Sequence, residues 1–243
     1  MCSRPSFTVR DFAMKRVFRI YPLYWILMTV VAIMIAIGQW RHESLWHFVY
    51  SMSLLPQQGA PVYDFSWTLE REMVFYALAA LIVPVGGIPM LAITLFALTF
   101  VGWLYGNPWT WHLTAASQAE FLAGVIVFLL RKPLALLGPI PLVNGTILLW
   151  IGSTHEYPFW TAPAVAALLA GFINIRPPWH RAPFRWLVRA GDASYSIFLL
   201  HYLVFFLAAN VSVRLLSLPE WACEPWRFAT ILTTCIISTS PGL

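Results

Sequence analysis

The sequence contains little charge for its length. Of its 243 residues, only 10% are Asp, Glu, Lys or Arg, whereas 60% are hydrophobic. A soluble domain has about 25% charged and about 45–50% apolar residues, so this composition excludes a soluble globular domain. The net charge of +5 comes from basic residues that stand singly or in pairs beside apolar runs. That pattern orients membrane proteins and does not indicate binding to nucleic acid.

Cysteine is also scarce. The three cysteines, Cys2, Cys223 and Cys235, lack the spacing of a zinc site and give no disulfide framework. We therefore expect no metal and no bound cofactor. We expect no cleavable signal peptide either, because the first sixteen residues carry five charges and no apolar core.

The sequence contains several long, uncharged and mostly apolar runs. A helix needs about 20 mostly apolar residues to cross about 30 Å of hydrocarbon, and residues 20–40 meet this need. Two more spans are predicted at about 67–85 and 88–105, separated by a turn rich in Pro and Gly. Later spans are predicted at residues 113–130, 133–154, 157–175 and 193–213, with a partial one at 228–243. The predicted fold is an all-α transmembrane bundle of seven to eight spans in a single domain, residues 1–243.

The basic residues give this bundle an orientation. Eleven of the fifteen Lys and Arg residues lie in the N-terminal arm, at residues 131–132 or in the predicted loop 176–191. Alternating spans place these three segments on one side of the membrane. Since positively charged loops stay in the cytoplasm, we expect a multi-pass protein of the inner (plasma) membrane with a cytoplasmic N-terminus.

A few ionisable residues lie inside or at the edge of predicted spans, where they are costly and are therefore candidates for function. Glu72 and Tyr76 are four residues apart and share one helix face. Glu70 lies about 200° from Glu72 around the helix axis, so the two carboxylates cannot face the same site. Glu120 and His201 stand within later spans.

These residues also have structural interpretations. Glu70 and Glu72 could cap a helix start with negative charge at the membrane edge. Glu120 could pair with an arginine of a neighbouring helix. His201 could act as a general base or simply join two helices by a hydrogen bond.

Two arginines, Arg16 and Arg19, precede an aromatic stretch at the start of the first span. As an anchor they would hold this end of the helix at the cytoplasmic face. As a pair of guanidinium groups they would bind phosphates or carboxylates. The residues by themselves favour the anchor.

Four segments, in this order, resemble the membrane-bound acyltransferase family 3, and above all its exopolysaccharide O-acetyltransferase-like branch. They match a basic segment leading into R-I-x-P-x-Y-W, then W-T/S-L-x-x-E-x-x-F-Y, E-F-x-x-G and G-x-x-S-Y-S-x-x-L-x-H. The matching residues are 19–25, 67–76, 120–124 and 191–201. Together the four segments cover about residues 15–210.

The resemblance implies transfer of an acyl group, commonly acetyl, to a hydroxyl of a saccharide or other envelope molecule. It implies acetyl-CoA, or another acyl-CoA, as the donor on the cytoplasmic side, with Arg16 and Arg19 near its phosphates. It makes Glu72 a candidate for relaying a proton and His201 a residue that lines the site. We expect Glu72 and His201 to be catalytic, with His201 substituting for the family's usual base. The remaining residues that the resemblance assigns to substrate binding are Tyr21, Trp67, Tyr76, Glu120, Ser194 and Tyr195.

The chain also departs from the family pattern. The family's usual first helix, which carries the histidine expected to be the general base, has no counterpart in this sequence, so we expect a chain truncated at the N-terminus. The short last run predicts truncation at the C-terminus as well. Two other functions fit the same residues. A transporter or flippase for a lipid-linked sugar would use the intramembrane Glu and His residues as a proton relay. A structural or partner-binding membrane subunit would catalyse no reaction.

Overall fold

The structure, a computed structural model, describes residues 8–105, 112–115, 117–155, 161–174 and 182–214. Within these ranges every regular element is helical, which confirms the predicted all-α class. The α-helices of the described part are α1 Val9–Ala36, α2 Leu45–Met52, α3 Trp67–Tyr105, α4 Ser117–Leu129, α5 Arg131–Leu134, α6 Ile140–His155, α7 Thr161–Asn174 and α8 Ala182–Arg214. Short 3-10 turns lie at Asp64–Ser66, His112–Thr114 and Ala135–Leu137.

The chain divides into two compact units, and α1 contributes to both. The first unit comprises Met1–Ile20 and Ser44–Arg176, and the second comprises Tyr21–Glu43 and Pro177–Leu243. The first unit thus contains α2 to α7 with the beginning of α1, and the second contains α8 with the rest of α1. A single domain over residues 1–243 stays a prediction.

The long helix α3 is a helical hairpin. A straight helix would separate Glu70 from Tyr105 by about 52 Å, and at most about 25 Å of chain joins Tyr105 to His112. Nevertheless, Nε2 of His112 lies 3.6 Å from Oε2 of Glu70, so the chain must turn back within α3. It turns at Gly87, whose φ of 70° and ψ of −172° suit glycine and strain other residues.

The two arms of α3 pack against each other. Ala79 of the first arm forms a buried cluster with Leu91 and Leu95 of the second. The arms correspond to the predicted helices at 67–85 and 88–105, and the predicted turn lies between them. With roughly 18–20 residues, each arm is about 27–30 Å long, close to the thickness of the hydrocarbon core.

The predicted number of membrane spans is not confirmed. Among the described residues, two segments are long and apolar enough to cross a membrane, Val9–Ala36 and Asp64–Tyr105, and the second contains the hairpin. A third is added if Arg131–Leu137 and Ile140–Gly152, bent by 92°, count as one span. Helices α4 and α7 have only 13 and 14 residues, fewer than the roughly 20 that a span needs. The predicted partial span at 228–243 lies outside the described residues.

Small residues let helices approach closely in the first unit. A Cβ atom added at Gly171 of α7 would lie 2.4 Å from Cγ of Leu142, and one added at Gly145 of α6 would lie 2.8 Å from Cγ of Leu168. Glycine at such contacts is common in membrane helix bundles because it allows backbones to meet. Helix α4 packs against α3 and α7, so these helices form the framework on which the polar residues of α3 are held.

Helix α8 begins earlier than predicted. Residues 182–191, predicted as part of the loop 176–191, form its first turns, so the loop prediction was wrong for them. Their charges suggested a polar loop, but arginine is among the better helix-forming residues and does not end a helix. Residues 175–181 of that loop lie outside the described part of the chain.

Candidate active site

A pocket of about 510 Å³ lies in the first unit around the start of α3. Trp67, Glu70 and Arg71 of the first turns of α3 line it, together with Gln57 of the α2–α3 connection and His112 of the 3-10 turn beyond α3. The hairpin explains this convergence, since it brings both ends of α3 to the same end of the unit. The rest of the lining consists of Gly59, Ala60, Pro61, Asp64 and Phe65.

Glu70 is a buried carboxylate, with 1% of its surface exposed. Its Oε1 accepts a hydrogen bond of 2.6 Å from Nε2 of Gln57. Its Oε2 has no hydrogen bond among the described residues but lies 3.6 Å from Nε2 of His112. Burial of a charge is costly unless the charge is paired and hydrogen-bonded. Gln57 and the charge of Arg71, with which Glu70 interacts electrostatically, offset part of this cost.

His112 is held on both sides. Its Nε2 lies 3.0 Å from the backbone carbonyl oxygen of Gln57. Its own carbonyl oxygen accepts a 3.0 Å hydrogen bond from Nε2 of Gln118, at the start of α4. The other ring nitrogen, Nδ1, is buried and has no hydrogen-bond partner within the described ranges. His112 thus has one nitrogen beside the Gln57 carbonyl and one buried nitrogen, and its ring is fixed between the α2–α3 connection and the start of α4.

The α2–α3 connection is fixed in a shape that brings Gln57 to this pair. Nε2 of Gln57 also lies 3.2 Å from Oγ of Ser51, and the Tyr50 hydroxyl donates a 2.9 Å hydrogen bond to the carbonyl of Pro56. Between them lies Leu54, a buried residue with a φ of 54°. Residues other than glycine adopt this left-handed conformation only where their surroundings impose it, so the packing around Leu54 determines where Gln57 lies.

Arg71 links the pocket to α4. Only 7% of its surface is exposed, and its Cζ lies 4.5 Å from the ring centroid of Trp67. It interacts electrostatically with Glu120 of α4 as well as with Glu70. Trp67, which is predicted to bind substrate, therefore contacts Arg71, and the charge of the exposed Glu120 acts on the same guanidinium.

The other face of the first arm of α3 carries a second cluster. The Tyr76 hydroxyl donates a hydrogen bond to Oε1 of Glu72. The guanidinium of Arg16, which lies on α1, stacks on the Tyr76 ring at 4.8 Å from its centroid. Arg19 also acts electrostatically on Tyr76. The predicted shared face of Glu72 and Tyr76 is confirmed, and so is the separation of Glu72 from Glu70.

The other predicted residues lie in the second unit: Tyr21, Ser194, Tyr195 and His201. Tyr21 packs edge-on against the tryptophan one turn later, with ring centroids 5.3 Å apart. Ser194 is exposed, whereas Tyr195 and His201 are half-buried. Nδ1 of His201 donates a hydrogen bond to the carbonyl of Phe198 in its own helix. The catalytic roles predicted for Glu72 and His201 stay predictions.

Sequence reasoning did not single out His112 or Gln57. His112 fits no motif, and its partners in the pocket precede it by 42 and 55 residues, so no local pattern marks it. Glu70 did carry a signal, since it is a second acidic residue on the opposite face of the helix from Glu72. Among the described residues, no group of three His, Cys, Asp or Glu side chains could hold a metal ion.

The pocket thus brings together a carboxylate, an imidazole, a guanidinium and an amide around a space that could hold a small molecule. Comparison with known proteins adds one match. A family model described as an acyltransferase domain matches residues 3–240, which include both polar clusters of α3. No curated protein and no solved structure shows a significant match to the chain.

Proposed function

The chain belongs to the acyltransferase 3 family, and on that premise we propose that it transfers an acetyl group from acetyl-CoA to a hydroxyl of a saccharide or other envelope molecule. The family match supports acyl transfer from a donor to an acceptor in general. Members of the family are membrane proteins, and the apolar helices of this chain agree with that location. Acetyl-CoA as the donor, a saccharide as the acceptor and membership of the exopolysaccharide branch are our proposals.

The observation that carries the proposal is the pocket at the start of α3, a mainly apolar space with a few polar groups in its lining. Its volume of about 510 Å³ falls within the range of roughly 300–1,000 Å³ typical of small-molecule sites. The aromatic rings of Phe65 and Trp67 line it beside the polar groups of Gln57, Glu70 and His112. A sugar has the same two kinds of surface, an apolar ring face and hydroxyl groups that need hydrogen-bond partners. The pocket is therefore suited to the acceptor.

The donor would bind at the cluster on the other face of α3. Acyl-CoA carries phosphates, and guanidinium groups bind phosphates with paired hydrogen bonds. Arg16 is oriented there by the ring of Tyr76, which in turn is bonded to Glu72. Tyr76 lies six residues beyond Glu70, about 9 Å along the helix axis and about 240° around it, so the acyl-bearing arm of CoA would extend around α3 to the pocket. We propose from the loop charges that the protein lies in the inner membrane with its N-terminus in the cytoplasm. In this orientation, cytoplasmic acyl-CoA would reach Arg16 and Arg19.

The chemistry is attack of the acceptor oxygen on the thioester carbonyl carbon. The new C–O bond forms, the C–S bond breaks, and the hydroxyl proton passes through a base to the departing sulfur. The products are an O-acetyl ester and free CoA. Ser194 and Tyr195 remain proposed contacts of the bound substrates.

The test uses membranes from cells that produce the chain. Radiolabelled acetyl-CoA is added, and label is counted in the polysaccharide and lipid fractions before and after mild alkaline treatment, which hydrolyses O-esters. We expect alkali-labile counts above those of membranes lacking the chain. Arg16→Gln should raise the KM for acetyl-CoA, whereas the exposed Arg10→Gln on the same helix should not. Counts equal to those of membranes lacking the chain would refute the proposal.

A further inference from the structure

We propose that the acceptor saccharide is carried on a lipid and reaches the pocket from the membrane, along the outer face of α2. The inference rests on the proposed acyl transfer and names the class of its acceptor. Its basis is the polarity of α2, whose exposed face is apolar, and the position of this helix at the wall of the pocket. The connection that follows α2 supplies Gln57, Gly59, Ala60 and Pro61 to the lining of the pocket.

Helix α2 is apolar on its outer face and polar on its inner face. Leu45 is 80% exposed, Trp46 is 77% exposed and Val49 is 51% exposed. At 100° per residue, these three side chains lie within an arc of about 100°. Ser51 lies about 190° from the middle of that arc and is fully buried. Exposure of three apolar side chains to water is unfavourable, so the outer face of α2 is suited to contact with hydrocarbon.

The place of α2 in the chain indicates that lipid covers this face. Helix α1 is long and apolar enough to cross a membrane, and only residues 37–44 join its end to α2, so α2 begins near a membrane surface. Its eight residues extend about 12 Å, too short a distance to cross the bilayer. Trp46 belongs to a residue type that is enriched at membrane interfaces. We therefore place α2 in the interface, on the side opposite the cytoplasm in the proposed orientation.

The inner face of α2 holds the wall of the pocket. Oγ of Ser51 accepts a 3.2 Å hydrogen bond from the backbone N–H of Val62 and lies 3.2 Å from Nε2 of Gln57. These two contacts fix both ends of residues 57–62 against α2. Gly59 and Ala60, within this segment, are exposed and line the pocket. The pocket therefore opens at a surface that α2 supports.

An acceptor with a lipid anchor fits both the outer face of α2 and the pocket. Leu55, 54% exposed, adds an apolar side chain just beyond the end of α2. It precedes Gly59 by four residues, at most about 14 Å of chain. A hydrocarbon chain that lies against the outer face of α2 would thus leave its saccharide at the opening of the pocket. The acetyl ester forms on a hydroxyl of that saccharide, and the lipid itself does not react.

The first experiment determines which fraction the acetyl group enters. Membranes from cells that produce the chain receive a pulse of radiolabelled acetyl-CoA, followed by an excess of unlabelled acetyl-CoA. Labelled acetate released by mild alkali is counted in a butanol extract, which contains lipid-linked saccharides, and in the remaining polysaccharide. We expect counts above those of membranes lacking the chain to appear first in the butanol extract. Counts that appear only in the polysaccharide would overturn the lipid-linked acceptor and leave the acyl transfer standing, whereas no transfer would overturn the proposed function itself.

Trp46→Gln tests the outer face of α2. Contact of one aromatic side chain with hydrocarbon strengthens binding by a factor of about 10. The initial rate of labelling of the butanol extract should therefore fall about 10-fold, with an unchanged KM for acetyl-CoA, and Trp46→Phe should recover most of it. Trp103→Gln, at a 59% exposed tryptophan in the second arm of α3, is the matched control and should label at the wild-type rate. Wild-type labelling by Trp46→Gln, or an equal loss in Trp103→Gln, would contradict a specific role of this face.

Thiol labelling tests the lipid contact without reference to activity. The three native cysteines are replaced by serine, and the purified chain is placed, one copy each, in nanodiscs of phosphatidylethanolamine and phosphatidylglycerol. A water-soluble maleimide should react with His42→Cys, at an exposed position before α2, and should spare Val49→Cys, since a thiol in lipid does not form the reactive thiolate. Equal labelling of the two would place α2 in water and overturn the proposal. Protection of Val49→Cys in cell membranes but not in nanodiscs would assign the face to a protein partner and would also overturn it.

Discussion

Truncation of Glu70 should destabilise the protein strongly. Glu70→Ala removes a carboxylate that is 1% exposed, the acceptor of the 2.6 Å hydrogen bond from Gln57, and the negative charge beside His112 and Arg71. Removing one partner of a buried pair costs about 3–5 kcal/mol. Glu70→Gln keeps an oxygen for Gln57 and removes only the charge, for which about 1–3 kcal/mol is expected.

The assay is thermal unfolding of the purified protein in one detergent, followed by tryptophan fluorescence. In proteins of about 150–250 residues, 1 kcal/mol shifts Tm by about 2–4 °C. Glu70→Ala should therefore lower Tm by about 6–20 °C, and Glu70→Gln by about 2–12 °C.

The control is Asp11→Ala, at an exposed position in the first turn of α1. A negative charge there contributes at most about 1 kcal/mol, so Tm should fall by less than about 4 °C. A Tm for Glu70→Ala no lower than that of Asp11→Ala would show that the buried carboxylate is not stabilised by its neighbours, and would refute the reasoning.

Three further changes test the hairpin, the donor cluster and the helix packing. Gly87→Ala places a side chain at φ 70° and ψ −172° and should destabilise the protein by about 1–3 kcal/mol, seen as a lower Tm. Tyr76→Leu removes the ring on which Arg16 stacks at 4.8 Å; a lost cation–π contact of about 0.5–2 kcal/mol should raise the KM for acetyl-CoA roughly 2- to 30-fold. Gly171→Ala places Cβ 2.4 Å from an α6 leucine and should cost about 1–3 kcal/mol in the same thermal assay.

Each of these changes has a control within the chain. A Cβ added at Gly124 meets nothing within 4 Å, so Gly124→Ala should be at least as stable as the wild type, because alanine is the better helix former. Tyr76→Phe keeps the ring and should leave the KM for acetyl-CoA nearly unchanged. Equal impairment of Tyr76→Phe and Tyr76→Leu would assign the effect to the hydroxyl. Wild-type Tm values for Gly87→Ala or Gly171→Ala would contradict the strained turn or the close packing, respectively.

The sequence predicts features that depend on residues close together in the chain. The angle of 100° per residue in a helix is enough to place Glu72 and Tyr76 on one face and Glu70 on another. The Pro- and Gly-rich segment around Gly87 is enough to predict a turn between two helices. The family follows from motifs whose residues are read directly, and the match over residues 3–240 confirms it.

The pocket could not be predicted because it depends on contacts distant in sequence. His112 meets Gln57 across 55 residues, and only the folding back of α3 brings them together. The orientation of Gln57 follows from the left-handed backbone of Leu54, a conformation for which leucine has no intrinsic preference. The start of α8 was missed for another reason: polarity indicates exposure to water, and it does not distinguish a charged helix from a loop.

The hairpin of α3 also sets the order in which the pocket can assemble during synthesis. A chain is made from its N-terminus, so Gln57 and Glu70 leave the ribosome before His112 exists. At that stage Glu70 can already bond to the Gln57 amide, which lies 13 residues earlier in the chain. The imidazole reaches it only after the second arm has been made and has folded back at Gly87. Glu70 can thus pair with Gln57 first, and His112 joins them only once the second arm of α3 has folded back.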